Sequence, residues 1–172
     1  DGVESDLWAT ALVVDDGDTR AAWIDLDIVI VSKPESDAIR ARVGEELGIP
    51  PAAVRVSATH NHAGPPPSAW NWTRQGQAAL EGYYALLPEL AASAARLALQ
   101  AMRPARVAAG AGESRVAVNR RETGPDGRMV TGVNPDGLID PHVFVLRIDD
   151  QEGAPIASVA GYTMHPTTMG PS

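Results

Sequence analysis

Residues 20–58, with the sequence RAAWIDLDIVIVSKPESDAIRARVGEELGIPPAAVRVSA, contain the pattern that decides the fold class. Residues 20–31 are β-rich. They are followed by a capping-box spacing between Ser32 and Glu35 with proline in the first turn, which predicts a helix over about residues 34–47. Gly48 is a suitable stop, and residues 54–58 predict a short buried strand. A strand, a helix and a strand in this order form a crossover unit, so we expect parallel pairing of the two strands.

Strand and helix patterns continue on both sides of this segment. Residues 9–14 are β-rich, and the Asp-Gly chemistry of residues 15–18 predicts a hairpin to residue 20. Residues 77–102 form the longest helical pattern, in which Pro88 is expected to kink or split the helix. We expect the Leu/Ala face of this helix to pack on the same sheet.

The second half of the chain is richer in strands. Residues 106–109, 115–118, 143–148 and 156–164 predict strands, whereas the Gly-, Pro- and Asp-rich residues 124–141 predict a loop. The pattern as a whole predicts an α/β fold with a mixed, partly parallel sheet and crossover helices.

Composition excludes several classes of protein. The 172 residues suffice for one domain, and no apolar run reaches the roughly 20 residues of a membrane span. The formal net charge of −8 disfavours nucleic acids and anionic membrane surfaces as partners. The absence of cysteine excludes disulfides, Cys-based zinc sites and thiol nucleophiles. Because the chain starts at Asp1 without Met or a signal-peptide pattern and stops at Ser172, we expect a piece of a longer protein.

Histidines are the residues that point to chemistry. His60 and His62 follow the buried strand 54–58, and alternate residues of an extended chain point to the same side. Strand ends of crossover units commonly hold functional sites, and neutral imidazole suits zinc. His165 ends a second apolar strand, whereas His142 is interpreted as structural or solvent-facing. His60, His62 and His165 could together ligate one zinc. Alternatively, one of His60 and His62 could bind metal while the other polarises a carbonyl or donates a proton. The alternative is that these histidines are capping or hydrogen-bonding residues.

At this point the motifs resemble those of a known family. Residues 59–65, Thr-His-Asn-His-Ala-Gly-Pro, resemble the Thr-His-x-His-Ser-Gly-Pro motif of the neutral/alkaline ceramidases. The Val-Asn-Arg of residues 118–120 resembles the Asn-Arg element of that family. Asp140, the strand 143–149, residues 153–156 and residues 164–169 follow in the family's order, and the Asp-Leu-Asp of residues 25–27 fits its early strand.

This resemblance implies a zinc amidase that cleaves ceramide into sphingosine and a fatty acid. It places His60 and His165 at zinc-ligand positions, His62 at the second active-site histidine and Arg120 at an active-site arginine. The family's other ligands, a Glu and a Tyr, and its active-site Ser lie further along its chain. Residues 1–172 would therefore be one region, the N-terminal part of a larger, layered α/β catalytic domain. The family also suggests a small-molecule or lipid substrate and a secreted or periplasmic location.

Departures from the family pattern leave the substrate open. Where the family continues Gly-Pro with Gly-Gly, residues 64–68 are Gly-Pro-Pro-Pro-Ser, which stiffens the loop. Trp70 and Trp72 could line an apolar or sugar-binding surface or pack over the following helix. A different amide or ester is one alternative substrate, and a metal-poor interaction module or a lipid- or glycan-binding domain is an alternative function.

Supporting residues have two interpretations as well. Asp25 and Asp27 could steady the site from behind the metal ligands, or act as turn and cap acceptors. Arg120 could orient the substrate or a carboxylate that steadies a histidine, or it could be an ordinary ion-pair partner.

Overall fold

The computed structural model describes residues 5–67 and 76–165. In these ranges the chain forms the helices α1 (Lys33–Leu47) and α2 (Gln77–Gln100), a 3-10 turn at Pro51–Ala53, and the strands β1 (Ala9–Asp15), β2 (Arg20–Leu26), β3 (Val54–Ala58), β4 (Ala105–Glu113), β5 (Asn119–Thr123), β6 (Met129–Asn134), β7 (His142–Asp150) and β8 (Pro155–Tyr162). The chain divides into two compact units, Asp1–Met102 and Arg103–Ser172.

The first unit is built around the predicted crossover. Strand β1 pairs with β2 in antiparallel fashion, and β2 pairs with β3 in parallel, with Ala22 opposite Val54 and Leu26 opposite Ala58. Helix α1 connects the two parallel strands. The α/β class, the hairpin and the partly parallel sheet are therefore confirmed.

Helix α1 begins and ends where its signals predict. The Ser32 side chain accepts from the backbone N–H of Glu35, and the Ser32 N–H donates to the Glu35 carboxylate at 2.7 Å. Gly48 closes the helix at a φ of 66°, in the left-handed region that glycine tolerates best.

Both helices cover one face of this sheet. Alternation along β2 buries Ala22, Ile24 and Leu26, while Trp23 and Asp25 on the other face are only half-buried. The buried side chains of β1, β2, β3, α1 and α2, together with Ile28 just after β2, form one apolar cluster: Val13, Ala22, Ile24, Leu26, Ile28, Ile39, Val43, Leu47, Val54, Tyr84, Leu87, Ala91, Ala92 and Ala95. Packing of α2 on the same sheet, as expected from its Leu/Ala face, is thus confirmed.

The end of β2 and the continuity of α2 differ from the sequence-based expectation. Strand β2 ends at Leu26 rather than at residue 31, and the next residues turn away while Ile28 and Val29 stay buried. Helix α2 is not split, because it continues through Pro88. Burial of Tyr84, Leu87 and Ala91 on its inner face offsets the roughly 3 kcal/mol that a proline costs inside a helix.

Residues 103–165, the described part of the second unit, form two antiparallel sheets. One has the strand order β4-β7-β8, and the other is the hairpin β5-β6. The strands predicted near residues 106–109, 143–148 and 156–164 are confirmed within a few residues.

The hairpin β5-β6 overturns two predictions. Residues 115–118 lie outside the strands, and residues 129–134 form β6 within the stretch expected to be a loop. The turn between the strands is closed by bonds from Gly124 N to Arg128 O and from Gly127 N to Gly124 O, with Gly127 at a φ of 77°. Because most side chains of this hairpin are exposed, the sequence lacks the alternating apolar pattern that predicts a strand.

In the described ranges, neither helix has the length and apolar character that crossing a membrane requires.

Candidate metal and active site

His60 lies just beyond the carboxyl end of β3. The pairing of β3 with β2 is extended by Thr59, whose N–H donates to the carbonyl oxygen of Leu26 at 3.0 Å. At the next residue the backbone turns sharply, because His60 has a φ of 63°. This is the left-handed region, which side chains other than glycine seldom occupy. The half-buried His60 ring places Nδ1 2.6 Å from the carbonyl oxygen of Val29.

His62 is the second imidazole at this strand end. Its ring is exposed, and the two ring centroids are 4.7 Å apart with the planes at 86°. The structure thus brings together the two histidines of the His-x-His motif. The partly buried His60 ring is hydrogen-bonded to the backbone, while the His62 ring is exposed beside it.

The loop after His62 is shaped by short-range contacts. Asn61 Oδ1 accepts from the N–H of Ala63 at 2.8 Å. A Cβ at Gly64 would lie 3.4 Å from both the carbonyl oxygen of Asp27 and the Leu7 side chain, so the backbone runs close to the residues after β2. Pro67 is buried. Ser68, Trp70 and Trp72 lie outside the described residues.

The two aspartates near the end of β2 act as structural acceptors. Asp25 Oδ1 accepts from the Ser57 hydroxyl at 2.8 Å, which links β2 to β3. Asp27 Oδ2 accepts from the N–H of Trp8 at 3.0 Å, which ties the chain before β1 to the end of β2. Asp27 thus accepts from a backbone N–H, whereas Asp25 joins two strands through side chains and is neither a turn nor a cap acceptor; a role of either residue behind the metal ligands stays a prediction.

His165 belongs to the second unit and follows β8 by three residues. Its ring is half-buried. The end of β8 is anchored by the hydroxyl of Tyr162, which donates to Ser114 O at 2.9 Å and accepts from the N–H of Ala117 at 3.1 Å. As predicted, His165 lies at a strand-to-loop junction.

Arg120 lies in β5 and lines a surface cavity of about 470 Å³ in the second unit. Asp140 and Thr163 line the same cavity, and Thr163 Oγ1 donates to the carbonyl oxygen of Asp140 at 2.9 Å. The Asp140 carboxylate accepts from the backbone N–H of His142 at 3.0 Å and lies 2.7 Å from its Nδ1. These hydrogen bonds lower the pKa of Asp140, so the cavity wall carries a negative carboxylate as well as a guanidinium.

His142 is exposed, as expected for a structural or solvent-facing residue. No sequence signal indicated that Asp140 and Thr163 share a cavity with Arg120, because these residues come from separate parts of the chain. The other feature missed from the sequence is the carbonyl of Val29, since a backbone acceptor has no residue-type signal.

This α/β arrangement, with two histidines at the end of a parallel strand, is similar to part of a known enzyme fold. One solved structure, the neutral ceramidase from Pseudomonas aeruginosa, matches with a TM-score of 0.73 and 22% identity over 95% of this chain and 27% of that chain. A ceramidase complexed with C2 matches with a TM-score of 0.69 and 21% identity, over 95% and 26% of the two chains.

The chain therefore has the fold of about a quarter of a ceramidase chain. At this level of identity the likeness concerns the fold. No protein-family model and no curated protein matches the sequence.

Proposed function

We propose that this chain is part of a zinc-dependent hydrolase that cleaves an amide (N-acyl) bond of a ceramide-like lipid or a related substrate. The observation that carries the proposal is the His60–His62 pair at the carboxyl end of β3, in a fold similar to that of neutral ceramidase. In such α/β units, functional groups gather at the carboxyl ends of parallel strands.

His60 and His165 are the proposed zinc ligands. Imidazole nitrogen is a preferred donor for zinc, and the backbone hydrogen bond of His60 is of the type that orients a ligating histidine. Catalytic zinc sites usually have three protein ligands and one open position, so a further ligand would come from another part of a longer protein. Bound there, zinc would supply Lewis-acid activation of water for attack on a carbonyl.

His62 and Arg120 are the proposed groups that contact substrate. His62 is exposed beside His60, so its ring can donate a hydrogen bond to the carbonyl oxygen or a proton to the leaving nitrogen. Arg120 lines an open cavity, in which its guanidinium can orient a polar group of the substrate by directed hydrogen bonds. An ester in place of the amide would use the same groups.

The test measures zinc and turnover separately in the longer natural protein that contains this chain. Replacement of His60 by Ala should abolish both zinc binding and hydrolysis of an N-acyl sphingosine. Replacement of His62 by Ala should keep most of the zinc and lower the rate by about 10²- to 10⁴-fold, the usual contribution of a general acid or base. The matched control is His142→Ala, since His142 is an exposed histidine whose partner is Asp140.

Three outcomes would contradict parts of the proposal. Equal loss of zinc in the His60 and His62 variants would make the division of roles wrong. Unchanged turnover in both variants would make the hydrolase function wrong. Absence of zinc from the unmodified protein would favour the metal-poor interaction module or the lipid- or glycan-binding domain.

A further inference from the structure

We propose that the carbonyl oxygen of Val29 holds the ring of His60 in its Nδ1–H form, which makes Nε2 the nitrogen that binds metal and the buried Ile28–Val29 segment a positioning element. The metal part of this inference rests on the proposed function.

His60 is the donor in its contact with Val29. Nδ1 of His60 is 2.6 Å from the Val29 carbonyl oxygen. A carbonyl oxygen can only accept a hydrogen bond, so Nδ1 must carry the proton. In neutral imidazole one nitrogen carries the proton and the other carries the lone pair. Nε2 is therefore the nitrogen with the electron pair that a metal ion needs.

The segment that carries the Val29 carbonyl is fixed by burial and by hydrogen bonds. After β2 ends, Ile28 N–H donates to Leu26 O at 2.8 Å, and the side chains of Ile28 and Val29 are 1% and 5% exposed. Thr59 donates to the same Leu26 carbonyl from the end of β3. Two buried aliphatic side chains and two hydrogen bonds thus fix the end of β2 beside the residue that precedes His60.

The backbone of His60 adopts an unfavourable conformation. Its φ of 63° lies in a region that costs about 1–3 kcal/mol for a residue other than glycine. The bond from Thr59 N–H to Leu26 O holds the backbone just before this turn, and the bond from Nδ1 to Val29 O holds the His60 ring. The ring is therefore oriented before any metal binds, and ligation through Nδ1 would require this hydrogen bond to break.

The experiment is ¹⁵N NMR of the imidazole nitrogens of the zinc-free chain in alkaline buffer, where imidazole is neutral. We expect His60 to show a protonated Nδ1 and an unprotonated Nε2, and we expect zinc to move the Nε2 resonance. A predominantly Nε2–H ring, or an Nδ1 resonance that moves on zinc addition, would overturn the inference.

A pair of variants separates positioning from general stability. Val29→Ala keeps the main-chain carbonyl but removes buried atoms that help to place it, so it should mix the two ring forms and weaken zinc binding by up to about tenfold. Val43→Ala removes the same atoms from a residue that is 0% exposed in α1, and it should leave the ring form and zinc affinity unchanged. Identical behaviour of the two variants would overturn the positioning role.

The two proposals fail in different ways. A protonated Nδ1 in a protein that binds no zinc would support the ring assignment and overturn the hydrolase proposal together with the metal assignment. Zinc binding by a ring with a protonated Nε2 would overturn both the ring form and the choice of Nε2 as the ligating nitrogen, while the proposed zinc site would stand.

Discussion

The two units of the chain differ in how much apolar surface they bury. In Asp1–Met102, helices cover one face of the sheet, and Ile24, Ile39 and Val43 are 0% exposed. In the described part of Arg103–Ser172, Ile148 is the buried hydrophobic side chain, while Val107 and Phe144 are 62% and 58% exposed. The first unit is therefore held mainly by packing, and the second mainly by strand pairing and turn hydrogen bonds.

This difference separates the proposed site residues into two kinds. His60 extends from a strand end whose neighbours belong to the core, whereas Arg120 belongs to a hairpin with mostly exposed side chains. Precise orientation is expected of groups on packed elements, and adaptation is expected of groups on weakly packed ones. Three pairs of substitutions, one variant in each unit, test this comparison.

The largest expected difference comes from truncating one aliphatic side chain in each unit. Ile39→Ala leaves a cavity in the core and should lower the free energy of unfolding by about 2–5 kcal/mol. Val107→Ala removes a largely exposed side chain and should cost less than about 1 kcal/mol. Urea unfolding followed by far-UV circular dichroism measures both. Equal losses would mean that the second unit has a core comparable to the first.

A smaller difference is expected from adding one methyl group to a glycine. A Cβ at Gly44 in α1 would lie 2.7 Å from the backbone oxygen of Ile49. Gly44→Ala should therefore destabilise by about 1–3 kcal/mol, although alanine is the better helix former. A Cβ at Gly132 would meet the flexible carboxylate of Glu122, which would lose its hydrogen bond from Val133 N–H on moving away, and would lie 3.1 Å from the Glu122 Cβ. Gly132→Ala should therefore cost about 1 kcal/mol, and a higher thermal midpoint for Gly44→Ala would contradict the packing argument.

The smallest difference is expected from removing a tyrosine hydroxyl. Tyr162→Phe should cost about 1 kcal/mol because the Tyr162 hydroxyl makes two hydrogen bonds in the second unit. In the described part of the chain, the buried Tyr84 hydroxyl has no hydrogen-bond partner, and burial raises its pKa to about 12. Tyr84→Phe should therefore leave stability unchanged or raise it slightly. Chemical unfolding of both variants would show the opposite order if Tyr84 contributed a hydrogen bond.

Local signals explain why the crossover segment was predictable. The Ser32–Glu35 capping box, the one-sided spacing of Ile39, Val43 and Leu47, and Gly48 all act within a few residues of the structure that they specify. Pro88 predicted a kink or a split of the helix, and the split is absent because here the outcome depended on packing rather than on a local signal. Pro88 is kept inside α2 by burial of its neighbours.

The hairpin β5-β6 was missed for the opposite reason. Its strands bury few side chains, so neither strand needs an apolar face. Residues 119–134 therefore lack the alternation of apolar and polar residues that predicts a strand. Glycine at 124 and 127 indicated turns, but the glycines alone did not distinguish one closed hairpin from a long loop.

By itself, the sequence determined the fold class, the strand ends that carry His60, His62 and His165, and the resemblance from which the zinc hypothesis arose, because residue type and spacing encode these features directly. Tertiary structure alone decided which oxygen meets the His60 ring and which backbone conformation His60 adopts. Both depend on the placement of a main-chain carbonyl 31 residues away in sequence. Every residue carries the same carbonyl, so only the packing of Ile28 and Val29 can bring this one to the site.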